Sequence, residues 1–389
     1  MKILYLTTPS YFDLEISYIR ELSKLAEVKI IMFVAPICMK SSAFSLDKIM
    51  NRVDIISALD YPGMDKYDYM INRSQWYIAN DITNFSIRTS FILSKKIKAF
   101  VNNFKPDIIH NTSVGALSMM LTPMLGKRIP KILSIHDVVS HDDTKSMKSR
   151  IKDFLMKGLI GNYHNILLYS KISDDIIEKR LGKLPHKLYH STLGPYDFLR
   201  NYPEEENKYG KYVLFFGRID YYKGVDVLIE AYKNSELRHL GVKLVVAGKD
   251  LIHVTDEIDD ESIIVLNRYI ENDELANLIR HCLFVVLPYR TATQSGVTKS
   301  SFALNKPILC TDAGNLPQEV IDDKYGKVVK AGDAIDLSKG LSWMGQHEAE
   351  LKRFSNNIEA DWNSTGSNSW SVIIKEMYEN VYLRLGKPE

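Results

Sequence analysis

Apolar positions along the chain fall into two alternating patterns. Short unbroken runs, Ile3 to Leu6, Val28 to Phe33, Asp107 to His110, Lys131 to Ile135 and Asn165 to Tyr169, read as buried strands. Between them lie stretches of helical spacing, such as Ile16, Ile19, Leu22 and Leu25, and the segment from Ile151 to Ile160. The opening predicts a βαβ unit, and its repetition predicts a parallel sheet with crossover helices. Residues 199 to 211 combine Pro203, Gly210 and an acidic run without apolar periodicity, which predicts an exposed linker. A second αβ series follows. Tyr212 to Phe216, Lys243 to Ala247, Ser262 to Leu266, Leu283 to Leu287 and Pro307 to Cys310 read as strands, with helices near 224–234, 273–281, 296–305 and 334–343. The expected domains are therefore 1–198 and 212–368, each doubly wound. An amphipathic helix at 369–389, carrying Trp370, Ile373, Met377, Val381 and Tyr382, is expected to pack back on the first domain.

Length agrees with two cores, since 389 residues exceed what one hydrophobic core organises. The net charge of +2 hides an asymmetry: residues 1–200 hold 28 Lys and Arg against 19 Asp and Glu, and the remainder 22 against 29. A basic first half is suited to phosphates or an anionic membrane surface, and an evenly solvated surface explains it as well. Cys38, Cys282 and Cys310 are scattered without metal or disulfide spacing, and the apolar start is shorter than a signal-peptide core. The expected setting is cytoplasmic.

Two segments carry candidate chemistry. The run Phe216-Gly217-Arg218-Ile219-Asp220-Tyr221-Tyr222-Lys223-Gly224 leaves a strand at a glycine and presents two cations at the strand's carboxyl end, where open parallel sheets bind ligands; the pair suits a diphosphate. Pairing with Asp220 and Asp226 is the competing explanation. The run Leu287-Pro288-Tyr289-Arg290-Thr291-Ala292-Thr293-Gln294-Ser295-Gly296-Val297 enters a helix near Gly296, whose first-turn N–H groups attract an anion; Ser295 as a plain N-cap is the competing explanation. In the first domain Ile135-His136-Asp137 follows a strand, and His110 ends the preceding one. No Asp-x-Asp, His-Glu-x-x-His, Walker loop or Gly-x-Gly-x-x-Gly occurs, which removes support for a metal-bridged diphosphate, a zinc protease, a nucleotide triphosphatase or a dinucleotide dehydrogenase. Nothing in the chain points to nucleic acid.

Gly217-Arg218 with Lys223-Gly224, Val245-Val246-Ala247-Gly248, Leu287-Pro288-Tyr289 leading to Thr293-Gln294-Ser295-Gly296, Phe302-Ala303-Leu304-Asn305-Lys306-Pro307 and Gly314-Asn315-Leu316-Pro317-Gln318-Glu319, in this order, resemble the family 4 retaining glycosyltransferases, group 1 of the GT-B superfamily. The resemblance is strong over 211–332 and weaker but collinear before it, where the family's Gly-Gly near the first helix is missing. It implies a GT-B fold, α/β with two Rossmann-like doubly wound domains facing across a cleft, and a nucleoside-diphosphate-sugar donor held mainly by the second, with no required cofactor. It assigns Arg218 and Lys223 to the diphosphate; Gly217, Gln294, Ser295, Gly296 and Val297 to the phosphate loop; Arg268, Tyr269 and Ile270 to the nucleobase; and His136 to the donor sugar. The family's two glutamates, with seven residues between them, fall on Ala292 and Ser300, so both carboxylates are absent and Ser300 is left to meet the ribose. The implied activity is retaining transfer of a hexosyl group to a glycan or lipid-linked hydroxyl in surface polysaccharide or glycolipid assembly. A nucleotide-sugar 2-epimerase and a catalytically silent binding subunit are the alternatives. The basic stretch 145–161 offers contact with an anionic membrane, hence a peripheral inner-face location, and the aromatic stretch Tyr61 to Tyr77 offers either sugar stacking or core.

Overall fold

The computed structural model describes residues 1–41, 43–126, 128–136, 157–169, 187–292, 295–362 and 365–386. The chain divides into two units, one of Met1–Leu193 with Trp370–Glu389, the other of Gly194–Ser369.

Unit 1 is built on eight described strands: β1 (Lys2–Thr7), β2 (Glu27–Val34), β3 (Asp54–Ser57), β4 (Trp76–Asn80), β5 (Ile108–Asn111), β6 (Lys131–Ile135), β7 (Asn165–Leu168) and β8 (Lys187–His190). Their order is β3-β4-β2-β1-β5-β6-β7-β8, parallel throughout except for β3 against β4. Helix α1 (Phe12–Leu22) joins β1 to β2. Helix α2 (Ile87–Phe104) starts at Ser86, whose hydroxyl accepts from the Thr89 N–H, and covers the sheet with Leu93, Ile97, Val101 and Phe104. These lie three or four residues apart on one helix face against Leu4, Leu6, Ile31, Phe33 and Ile109. Each such fully buried side chain contributes about 1.5–3 kcal/mol. Helix α3 (Ala116–Met124) closes the same layer.

The end of the chain belongs to unit 1. A helix at Trp370–Met377 and a π-turn at Tyr378–Tyr382 pack on α1, burying Trp370, Ile373, Ile374, Met377, Val381 and Tyr382. The stretch between Tyr61 and Tyr77 also resolves into packing: Tyr61, Tyr67 and Trp76 are buried, Phe12 meets the Tyr67 and Trp76 rings edge-on, and Tyr69 alone of the four is exposed.

Unit 2 has strands β9 (Tyr212–Phe216), β10 (Lys243–Ala247), β11 (Ile263–Leu266), β12 (Val285–Leu287), β13 (Ile308–Thr311) and β14 (Gly326–Val329), all parallel, in the order β11-β10-β9-β12-β13-β14. The chain steps outward from β9 to β11, then returns to β12 on the other side of β9. The β9/β12 junction is the switch point at which doubly wound sheets open a ligand crevice. Residues 203–208, 210 and 211 are exposed, as the sequence predicts, while the start of the segment is fastened to this unit. Arg280 donates to the carbonyls of Leu199 (3.1 Å) and Tyr202 (2.7 Å), and Arg200 Nε donates to the Ala303 carbonyl at 2.5 Å.

Candidate active site

At the carboxyl end of β9, Gly217 (φ 115°) donates its N–H to the Ala247 carbonyl at 2.9 Å, and the chain turns out past Arg218 into a short 3-10 turn, Tyr221–Lys223. Asp220 caps that turn, accepting from the Tyr221 N–H at 2.7 Å. Gly224 follows in the left-handed region (φ 65°), and a Cβ there would collide with the Pro288 carbonyl, so the turn lies directly on the exit of β12. This closeness brings Lys223 under Tyr289: its Nζ donates to the Tyr289 hydroxyl at 2.5 Å and stands 3.9 Å from the centre of that ring. Burial, followed by the neighbouring Arg218, pushes the Lys223 ammonium down to about 7, against the opposing pull of Asp220.

The competing explanation for these cations required Asp220 and Asp226. Asp226 is held instead by Arg290, whose two guanidinium nitrogens meet its carboxylate at 2.8 and 2.6 Å and keep it below the usual carboxylate range. Asp220 approaches Arg218 no nearer than 4.0 Å, and Arg218 is half exposed. Among the described residues, Arg218 and Lys223 therefore sit at the β9 edge without a tight carboxylate partner. Arg290, which gives no sign of this role in the sequence, also donates to the Tyr221 carbonyl and stacks on that ring, bracing the turn.

Beyond β12, helix Gly296–Ala303 begins at Ser295. The Ser295 hydroxyl makes no cap bond to the helix and is buried beside Tyr289. Without a side-chain cap, the first-turn N–H groups from Gly296 and Val297 onward present the positive end of the helix, worth about 0.3–1 kcal/mol to an anion at an exposed site. Thr293 and Gln294 lie outside the described residues. Ala292 is backed by Gly314, where any side chain would strike the Ala292 carbonyl. Ser300 is buried, and its hydroxyl donates to the Gly296 carbonyl at 3.0 Å, which leaves its oxygen with acceptor capacity only. Next to it Lys299 is buried over the Trp362 ring (4.4 Å), with Glu319 at 3.9 Å and its ammonium pushed downward by burial. Sequence reading gave no role to this pair.

Arg268, Tyr269 and Ile270 follow β11 at the same edge of the sheet. Arg268 forks onto Glu274 (2.7 Å for both contacts), which raises its pKa, Tyr269 is exposed, and Ile270 is buried.

In unit 1, His136 leaves β6 at that sheet's carboxyl end. Its side chain is 6% exposed and stacks on Tyr169, the ring planes 8° apart and the centroids at 4.7 Å; Tyr11 lies on it at 4.5 Å. Nε2 is 3.4 Å from Oε1 of Glu15, a buried carboxylate on α1 whose other oxygen accepts from the Thr7 hydroxyl. Neither ring nitrogen of His136 has a hydrogen-bond partner among the described residues. Asp137, His141, Asp142, Asp143 and most of 145–161 lie outside the described residues. His110 is different. It is fully buried, with Nδ1 2.5 Å from the Tyr382 hydroxyl and Nε2 2.6 Å from the Ser134 hydroxyl, and burial holds its pKa down to about 3. A neutral imidazole bonded through both nitrogens is a structural group, not a proton carrier. Among the described residues no three His, Cys, Asp or Glu side chains gather as metal ligands would.

This pairing of doubly wound units, the second with two cations at its switch point, matches the GT-B glycosyltransferase fold. Anabaena HepE, solved in complex with UDP, superposes with a TM-score of 0.66 at 13% identity, over 98% of this chain and 100% of that one. Sucrose-phosphate synthase of Thermosynechococcus elongatus does so with a TM-score of 0.65 at 13% identity, over 99% of this chain and 100% of that one. Residues 200–361 match the family described as Glycosyl transferases group 1, so unit 2 contains a domain of that family. An uncharacterized glycosyltransferase of Methanocaldococcus jannaschii is 27% identical over 281 residues, 71% of this chain and 76% of the relative. A GDP-mannose:glycolipid 4-beta-D-mannosyltransferase of Xanthomonas campestris pv. campestris is 31% identical over 101 residues, 25% of this chain and 29% of the relative. The chain is a glycosyltransferase of the GT-B type.

Proposed function

We propose that the protein transfers a sugar, with retention, from a nucleoside-diphosphate-sugar to a hydroxyl of a glycan or lipid-linked acceptor, in the assembly of a surface polysaccharide or glycolipid. The observation that carries this reading is the β9/β12 edge, where Arg218, Lys223 and the uncapped start of helix Gly296–Ala303 come together while the nearby Asp226 is occupied by Arg290. Charge appearing on the departing diphosphate is stabilised there by two cations and peptide dipoles already in place, so no reorganisation is required as the bond breaks. Arg268, Tyr269 and Ile270 are assigned to the nucleobase, Ser300 to the ribose and His136 to a donor-sugar hydroxyl. The reading needs no metal, because cations of the chain neutralise the leaving group. Retention follows from departure and attack on one face of the sugar.

Calorimetric titration with a panel of nucleoside diphosphates, followed by turnover of the matching nucleotide-sugars with and without acceptor, tests the reading. Tight binding of one diphosphate together with acceptor-dependent release supports transfer. Release without acceptor points to an epimerase, and binding of no diphosphate removes the catalytic assignment. The silent-subunit alternative draws on Ala292 and Ser300, which bring no carboxylate to the ribose. Losing one charge-assisted hydrogen bond costs about 1.5–3 kcal/mol, which weakens donor affinity without abolishing it.

A further inference from the structure

Unit 1 carries an exposed feature that the transfer chemistry does not use. At the carboxyl ends of β2 and β4, Ile37 and Ile87 are each 79% exposed, Phe91 45% and Ile82 38%. Ile37 lies in the turn Pro36–Cys38 after β2, and its N–H donates to Asn84 Oδ1 at 2.8 Å, tying that turn to the loop after β4. The loop delivers Ile82 and then enters α2 at Ile87, with Phe91 one helical turn further along the same face.

The loop is built to hold this display. Buried Asp81 accepts from the N–H groups of Thr83 and Phe85 (2.5 and 3.2 Å), and Asn84 and Phe85 both occupy the left-handed region at φ 55° and 60°. Phe85 turns inward, packing against the core beside Phe33, while the isoleucines on either side stay in solvent. Two consecutive non-glycine residues with positive φ persist only where the surroundings over-determine them.

The rim is cationic. Residues 82–106 hold five Lys and Arg and no Asp or Glu. Arg88, Lys95 and Lys98 are exposed on α2, with the Lys95 Nζ 4.5 Å over the Phe91 ring, whereas Lys96 is turned to Asp54 at 2.9 Å. Scattered exposed isoleucines are ordinary, but four exposed apolar side chains on two tied turns and one helix start, with exposed cations and no acidic residue on that helix, fit a soft, anionic plane.

We propose that this edge of unit 1 docks on an anionic lipid bilayer, with Ile37, Ile82, Ile87 and Phe91 entering the headgroup–acyl boundary and Arg88, Lys95 and Lys98 meeting the headgroups. Strands β2 and β4 run parallel to β1 and β6, so the edge that meets the lipid is the edge bearing His136 and Glu15. A lipid-linked acceptor is thereby presented at that group's side of the sheet, a consequence that rests on the transfer reading, whereas the docking surface itself does not.

Flotation of the full chain with phosphatidylcholine vesicles, and with vesicles that also contain phosphatidylglycerol, tests this. Wild type should float with the anionic vesicles and far less with the neutral ones, and raised salt should weaken it. Ile87→Asp/Phe91→Asp and Arg88→Glu/Lys95→Glu should each lower vesicle affinity about tenfold or more, the equivalent of about 1.4 kcal/mol. Nucleoside diphosphate affinity and thermal midpoint should stay at wild-type levels, since these side chains are exposed and lie in unit 1. Unchanged flotation of both variants, equal flotation on neutral and anionic vesicles, or a vesicle-free dimer that the Asp variant converts to monomer would each overturn the proposal. Vesicle binding without nucleotide binding would defeat the transfer reading and leave the docking surface standing; nucleotide binding without vesicle binding would do the reverse.

Discussion

Lys223 is the residue on which the proposed diphosphate site turns. With its ammonium near pH 7 in the free protein, it is charged below that pH and neutral above it. A bound diphosphate favours the charged form and raises that pKa, so binding above neutrality must take up a proton. Calorimetry at pH 8 in buffers of different ionisation enthalpy should therefore show net proton uptake, and Lys223→Met should abolish it. The sign for folding follows the same logic. Between pH 7 and the ordinary lysine range the unfolded chain binds the proton that the folded chain lacks, so this residue's contribution to stability rises with pH across that window. Arg218→Ala should weaken diphosphate binding about ten- to a hundredfold with little change in thermal midpoint, because its side chain is half exposed. Both cations were legible in sequence. What was not legible is what holds them, for Tyr289 lies 66 residues from Lys223 and Arg290 lies 64 from Asp226. No local pattern records a contact across that separation. The same is true of Glu15, which gave no signal as a neighbour of His136 until α1 and β6 were placed on one sheet.

At the scale of elements, the strands that periodicity exposed are mostly the fully buried central ones, with the partly buried edge strand β11 also among them. The βαβ opening and strands β5, β6, β7, β9, β10, β12 and β13 are apolar runs because both their faces are covered. Among the described elements, those it missed include β3, β4, β8 and β14, together with α2, α3 and the helices Leu316–Val320 and Glu348–Trp362. Strands β3, β8 and β14 are short edge strands with partly buried residues, too mixed in polarity to stand out. Helix α2 has a clear apolar face, but its exposed Ile87 and Phe91 blur the period. Where two elements meet at a glycine, the tolerance is small. Gly224→Ala would place a Cβ in a left-handed residue and against the Pro288 carbonyl, separating the β9 turn from β12. A loss of about 1–3 kcal/mol in denaturant-derived stability is expected, with a larger proportional loss of diphosphate affinity because Lys223 moves with the turn.

At the scale of the molecule, unit 1 is closed by a distant part of the chain. Tyr382 places its hydroxyl between His110 Nδ1 (2.5 Å) and the Tyr18 hydroxyl (2.9 Å). Tyr382→Phe should cost about 1–3 kcal/mol, since it leaves a fully buried imidazole nitrogen without a partner, and differential scanning calorimetry should register the lowered transition. Ending the chain at Ser369 should be far more damaging, exposing the face of α1 on which Trp370, Ile373, Ile374 and Met377 rest. The periodicity of 369–385 already gave the helix and its apolar stripe; the His110–Tyr382 bond, spanning 272 residues, no pattern gives.

That same bond bears on how the polypeptide is made. As the nascent strand leaves the ribosome, residues 194–369 can complete their sheet from contiguous sequence, whereas the earlier-synthesised unit must wait with His110 Nδ1 unmatched until residues 370–382 emerge. Translation order and assembly order are thus reversed, and the piece born first is finished last.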